Sequence, residues 1–187
     1  SGQVCVSPDY ALVPRELERD FLHAARAAFA RLAPWPSSDA DYTSIVSERH
    51  AARLQDLLGD ARRLGATVLA CGEPGAGRRM PLHLVTGVTD AMRLAREEIF
   101  GPILPVLPYE RIEDAIAHVA ARPRALALYW FGRDAGEARN VLGQTHSGGV
   151  TLNDWCWHVF QHDLPFGGIG ASGMGSYHGE EGFRALS

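Results

Sequence analysis

Apolar positions along the chain alternate between helical spacing and short continuous runs. From Arg15 to Ala33, the residues Leu17, Phe21, Ala24, Ala28 and Leu32 recur at helical spacing and predict a helix. The stretch Pro34–Asp41, containing PWPSSD, breaks it. Ser47 is placed to cap a second helix through His50, Leu54, Leu57, Leu58 and Ala61, closed by Gly65. Two strand-like runs follow, Ala66–Cys71 and Pro81–Val88, separated by the turn GEPGAGRR. Ile103–Leu107 predicts a buried strand, and Ile112–Ala120 an amphipathic helix with Ile112, Ala115, Ile116 and Val119 on one face. Ala125–Phe131 predicts a strand, Ala135–Leu142 a short helix and Gly149–Leu152 a last strand. Strands alternating with helices predict an α/β fold with an open, twisted, mostly parallel sheet flanked by helices. After Asn153 the pattern gives way to an aromatic and glycine-rich stretch that reads as loop.

Composition narrows the class. The 187 residues suit one domain, and 46% apolar with 21% charged residues is enough for a packed core. A formal net charge of −4 offers no electrostatic basis for nucleic-acid binding. No apolar run approaches the roughly 20 residues of a membrane span, and the first residues, SGQVCVSPDY, lack the regions of a signal peptide. All 18 basic residues are arginine, which excludes lysine Schiff-base chemistry and a P-loop lysine. Three cysteines, Cys5, Cys71 and Cys156, with no CxxC spacing point to a reducing, cytoplasmic setting rather than a disulfide framework.

Four places carry candidate chemistry. Cys5 lies before the first helix. A thiolate there is a nucleophile, and a small buried hydrophobe is the commoner alternative. In Glu97-Glu98-Ile99-Phe100-Gly101-Pro102, two acids sit beside an aromatic and a turn; a carboxylate there could accept hydrogen bonds from a diol, or simply be solvated at a helix end. The run from Gly168 to Gly173 formally matches GxGxxG. It follows no predicted strand and precedes only 14 residues, too few for a Rossmann unit, so its glycines read as sites of close backbone approach. Cys156, His158 and His162 match no standard zinc spacing, and Trp155, Trp157 and Phe160 beside them suggest an aromatic-lined pocket rather than a metal site.

Taken together, GQVC, EEIFGP, SGGVTLN and LPFGGIGASGMGSYHG, in this order and spacing, resemble the aldehyde dehydrogenase superfamily. The last motif is similar to the class-3-like branch, and GQVCVSPDYALVP resembles bacterial coniferyl aldehyde dehydrogenases. The resemblance runs from Gly2 to about Phe183. It implies that Cys5 is the nucleophile, adding to an aldehyde and passing through a thioester, with its backbone N–H in the oxyanion hole. It implies that Glu98 bonds the nicotinamide-ribose hydroxyls of NAD or NADP, that Phe100 packs beside them, and that Phe166 lines the substrate tunnel. By extension, Trp155, Trp157 and Phe160 would favour a bulky apolar or aromatic aldehyde. It also implies a homodimeric parent.

The family's nucleotide-binding domain, general-base glutamate and oxyanion-hole asparagine precede the nucleophile, and none is found in this sequence. The expectation is therefore residues 1–187 as a catalytic domain incomplete at its start. Two other classes stay open: a non-catalytic binding or assembly module of the same fold, and a cysteine-dependent ester or thioester hydrolase. The expected outcome for this chain alone is no NAD(P)H formation across a panel of aldehydes, measured by absorbance, and no hydrolysis of activated esters.

Overall fold

The computed structural model describes residues 2–33, 42–73 and 75–187. The break at Pro34–Asp41 and Pro74 of the GEPGAGRR turn lie outside the described residues. The chain forms two compact units, residues 1–110 and 111–187.

In the first unit, strand β1 (Ala11–Pro14) leads through a 3-10 turn into helix α1 (Glu18–Leu32). Helix α2 (Glu48–Arg63) is followed by β2 (Thr67–Ala70), β3 (His83–Thr86) and β4 (Ile103–Tyr109). The sheet order is β1-β4-β3-β2. The β1–β4 and β3–β4 pairs are parallel, and β2 pairs antiparallel with β3. Strand β4 holds two prolines in a central position, where a missing N–H normally breaks a ladder. Staggered neighbours accommodate them. Strand β3 pairs with Ile103 to Pro105, and β1 takes over from Val106 to Tyr109.

The predicted cap of α2 is present: Ser47 Oγ accepts the His50 backbone N–H at 3.1 Å. Leu54, Leu57, Leu58 and Ala61 line its buried face, and Gly65 after its end has a φ of +94°. These side chains pack with Ile45, Val85, Met92, Ile99 and Ile103 in the core of the unit. Helix α1 forms where its apolar spacing predicts, yet none of its residues is fully buried, and Leu17 and Leu32 are exposed. An alanine-rich segment favours helix by backbone propensity alone. Its stripe is only partly covered: Phe21 and Ala28 are half-buried, and Phe29 beside them meets the Tyr42 ring edge-on.

The second unit holds α3 (Ile112–Ala120), β5 (Ala125–Trp130), α4 (Ala135–Gln144) and β6 (Ser147–Leu152), with β5 and β6 parallel. Asp134 caps α4, its Oδ1 accepting the Gly136 and Glu137 N–H groups, which hold its carboxyl below the usual range. Ile116, Trp130, Ala138 and Val141 form its small core. The stretch after Asn153 is not all loop, as the sequence pattern suggests. It contains helix α5 (Trp157–Phe160), a 3-10 turn at Gly170–Ser172 and helix α6 (Gly179–Ala185). Segments this short carry too few apolar repeats to show a period.

Two substitutions test this packing. Ser47→Ala is expected to cost about 1 kcal/mol, and Leu57→Ala about 2–5 kcal/mol, read from urea denaturation of the chain.

Candidate active site

Every group predicted from the first half of the chain falls in the first unit. Cys5 sits in a four-residue turn closed by the Ser7 N–H donating to Val4 O at 2.9 Å. Val6 points into the core while the Cys5 thiol is exposed. A turn that buries one neighbour and presents the other is a firm mount for a reactive side chain.

The Glu97–Gly101 turn separates the two carboxylates by role. Glu97 is taken up by arginines: Arg93 donates to it through Nε at 2.6 Å and Nη2 at 3.0 Å, and Arg53 lies 3.5 Å away. Those donors hold its carboxyl below the usual range, the Arg93 hydrogen bond foremost. Glu98 is exposed and enters no ion pair among the described residues. Ile99, between them and Phe100, is anchored in the core. Phe100 is exposed and has a φ of +55°, a left-handed conformation uncommon for a bulky residue. Glu98 and Phe100 are thus both presented outward by a turn whose middle residue is fixed. That arrangement suits a carboxylate and a ring that serve a bound cofactor.

The groups predicted from the end of the chain fall in the second unit. Phe166 is buried, with its ring stacked on His178 at 5.9 Å between centroids and edge-on to Tyr177 at 5.6 Å. It lines a cavity of about 400 Å³ with Leu126, Gly168, Met174 and Tyr177. Trp155, Trp157 and Phe160 are exposed and lie outside that lining. Asp154 holds both tryptophans, its Oδ1 accepting the Trp155 backbone N–H at 2.7 Å and its Oδ2 the Trp157 indole N–H at 2.6 Å. Cys156, at φ +67°, turns inward and is buried. His158 is turned to Thr151 and His162 to His178, so Cys156, His158 and His162 have separate surroundings. Gly168 permits a close crossing: a Cβ there would lie 2.1 Å from Ser172 O. This is the close backbone approach predicted for the glycine run.

Sequence reading missed the His158–Thr151 pair. Thr151 Oγ1 accepts the His158 backbone N–H at 3.2 Å and lies 2.8 Å from Nδ1. Both side chains are buried, and burial pushes the imidazole pKa down. The only sequence sign is a threonine next to the end of a strand, seven residues before a histidine. The supports of the Glu98 turn were also missed: Asp9 lies inside GQVCVSPDYALVP with no role of its own assigned, and His50 and Arg53 carry no local motif.

Comparison with known proteins follows the same lines. The profile of the Aldehyde dehydrogenase family matches residues 1–187. A probable coniferyl aldehyde dehydrogenase of Pseudomonas aeruginosa is 51% identical over 187 residues, covering 100% of this chain and 39% of that protein. A coniferyl aldehyde dehydrogenase of a Pseudomonas species is 42% identical over 194 residues, covering 100% of this chain and 40% of that protein. Among solved structures, a substrate-bound state of Staphylococcus aureus AldH superposes with a TM-score of 0.88 at 35% identity, over 97% of this chain and 40% of that one. An NADP-dependent glyceraldehyde-3-phosphate dehydrogenase from Bacillus halodurans, complexed with NADP, superposes at 0.85 with 30% identity, over 95% of this chain and 37% of that one. The chain belongs to the aldehyde dehydrogenase family, and it spans about two fifths of the length of these relatives.

The buried histidines set an acid limit. Burial lowers the pKa of His158, and of His83 in the first unit, from the usual 6.5. Below 6.5 the unfolded chain binds protons that the folded chain refuses, so stability falls as pH drops from 6.5 toward the folded values. Thermal unfolding midpoints across that range are expected to decline, and His158→Gln is expected to flatten the decline.

Proposed function

We propose that this chain is the catalytic portion of an NAD(P)-dependent aldehyde dehydrogenase with Cys5 as its nucleophile. The observation that carries the reading is the exposed Cys5 thiol in the same unit as a free, outward carboxylate, Glu98, and an exposed ring, Phe100. In this reading the Cys5 thiolate adds to the aldehyde carbon and forms a thiohemiacetal. The Cys5 backbone N–H helps to hold the negative charge that develops on the carbonyl oxygen. Glu98 and Phe100 would hold a nicotinamide cofactor, which, when bound, supplies the hydride acceptor. Cys5 then carries the acyl group as a thioester until water releases the carboxylic acid.

The other two cysteines are poorly suited to this task. Burial pushes the Cys71 thiol pKa up, which lowers its thiolate fraction. Cys156 is 3% exposed. The aldehyde we propose is bulky and apolar or aromatic, with Phe166, Trp155, Trp157 and Phe160 supplying apolar surface for it. The coniferyl aldehyde relatives support that preference. A homodimeric complete protein in the cytoplasm is part of the same proposal and rests on the family resemblance alone.

Mass-spectrometric mapping after limited iodoacetamide treatment is expected to find Cys5 alkylated first. In the complete protein, Cys5→Ser is expected to lower aldehyde oxidation on the order of a thousandfold or more. Alkylation centred on Cys71 or Cys156, or full activity of Cys5→Ser, refutes the assignment.

A further inference from the structure

Cys5 lies between two points at which its loop is fastened to the Glu97–Gly101 turn. At the first, Gly2 packs its backbone so closely on Gly101 that a Cβ at Gly2 would lie 2.3 Å from Gly101 O. At the second, Asp9 Oδ1 accepts the Ile99 backbone N–H at 2.8 Å. Gln3 adds a link to a different segment, its Oε1 accepting the Val46 N–H and its Nε2 donating to Ser44 O.

Helix α2 holds the same turn from its carbonyl side. Arg53 donates to Ile99 O at 3.0 Å and also to Glu98 O. His50 Nε2 donates to Phe100 O at 2.8 Å, and its ring meets the Phe100 ring edge-on at 6.5 Å. Both faces of the peptide chain from Glu98 to Phe100 are therefore bonded, the Ile99 N–H to Asp9 and the carbonyls to Arg53 and His50. This is the restraint that a left-handed Phe100 needs, since strained backbone persists only where its surroundings over-determine it.

We infer that Asp9 is a positioning residue, which fixes the Glu98–Phe100 turn relative to the Cys5 loop and so sets the cofactor-binding pair against the nucleophile. The inference rests on the proposed function of that turn. A carboxylate suits the task because it only accepts, and the Ile99 N–H donates to it. An asparagine keeps one acceptor oxygen for that N–H but loses the charge, which makes the bond weaker. Asp9 touches no reacting atom; it acts through Glu98 and Phe100. Its charge is costly at this depth, and burial raises its pKa, with the nearby Glu98 charge adding to the rise and Arg53 opposing it.

The test uses the complete protein with Asp9→Ala, Asp9→Asn and Val106→Ala, the last a buried β4 position that makes no hydrogen bond to the turn and controls for lost stability. Calorimetric titration with NAD and with NADP reads cofactor binding, and steady-state kinetics with benzaldehyde reads the rest. Asp9→Ala is expected to weaken cofactor binding on the order of tenfold or more, with the benzaldehyde KM unchanged. Asp9→Asn is expected to recover part of the loss, and Val106→Ala to show none. Wild-type binding in Asp9→Ala, or an equal loss in Val106→Ala, overturns the inference. A wild-type protein that binds neither nucleotide overturns the proposed function and the cofactor part of this inference with it. Amide exchange at Ile99 and Phe100 then decides the mechanical part. Faster exchange in Asp9→Ala supports the clamp, and wild-type exchange rates overturn it.

Discussion

Gly101 lies against Leu54 so closely that a Cβ at Gly101 would come 2.6 Å from the Leu54 methyl groups. Leu54 is fully buried on α2, so this contact binds the Glu97–Gly101 turn to the core rather than to solvent. Ile99 enters the same core, and β4 begins two residues after Gly101. The position of the turn is therefore inherited from the packing of a helix on a sheet. Close-packed interiors transmit displacement, so the outward groups on this turn are as well placed as the core beneath them.

Charge then assigns roles to neighbours that composition treats as equal. Glu97 and Glu98 are adjacent acids, yet two arginines surround one and leave the other free. A bidentate arginine contact fixes a carboxylate as a structural member. An exposed, unpaired carboxylate beside a strained aromatic keeps its acceptor capacity for a ligand. The proposed cofactor role of Glu98 follows from that difference.

In the second unit the corresponding constraint is a layer of rings. Phe166 sits among His158, Tyr177 and His178, and His178 itself has a φ of +84°. Strain at His178 and at Cys156 lies in the segment that sequence patterning reads as loop. Backbone irregularity of this kind erases periodicity while leaving a well-packed arrangement. That is why α5 and α6 were illegible, whereas α3, with four apolar residues on one face, was readable residue by residue.

The sequence by itself determined most of the regular elements, though not β1, α5 or α6, together with the cap at Ser47, the mostly parallel pairing and the family. Each of these depends on local spacing or on ordered motifs. It also singled out Cys5, Glu98 and Phe100 as residues, through their motifs. Tertiary structure decided that Glu98 enters no ion pair among the described residues, that the stripe of α1 is only partly covered, and that Asp9, His50 and Arg53 grip one turn. The grip on the turn depends on residues separated by 46 to 90 positions in the chain, whose meeting is set by core packing and not by any local pattern.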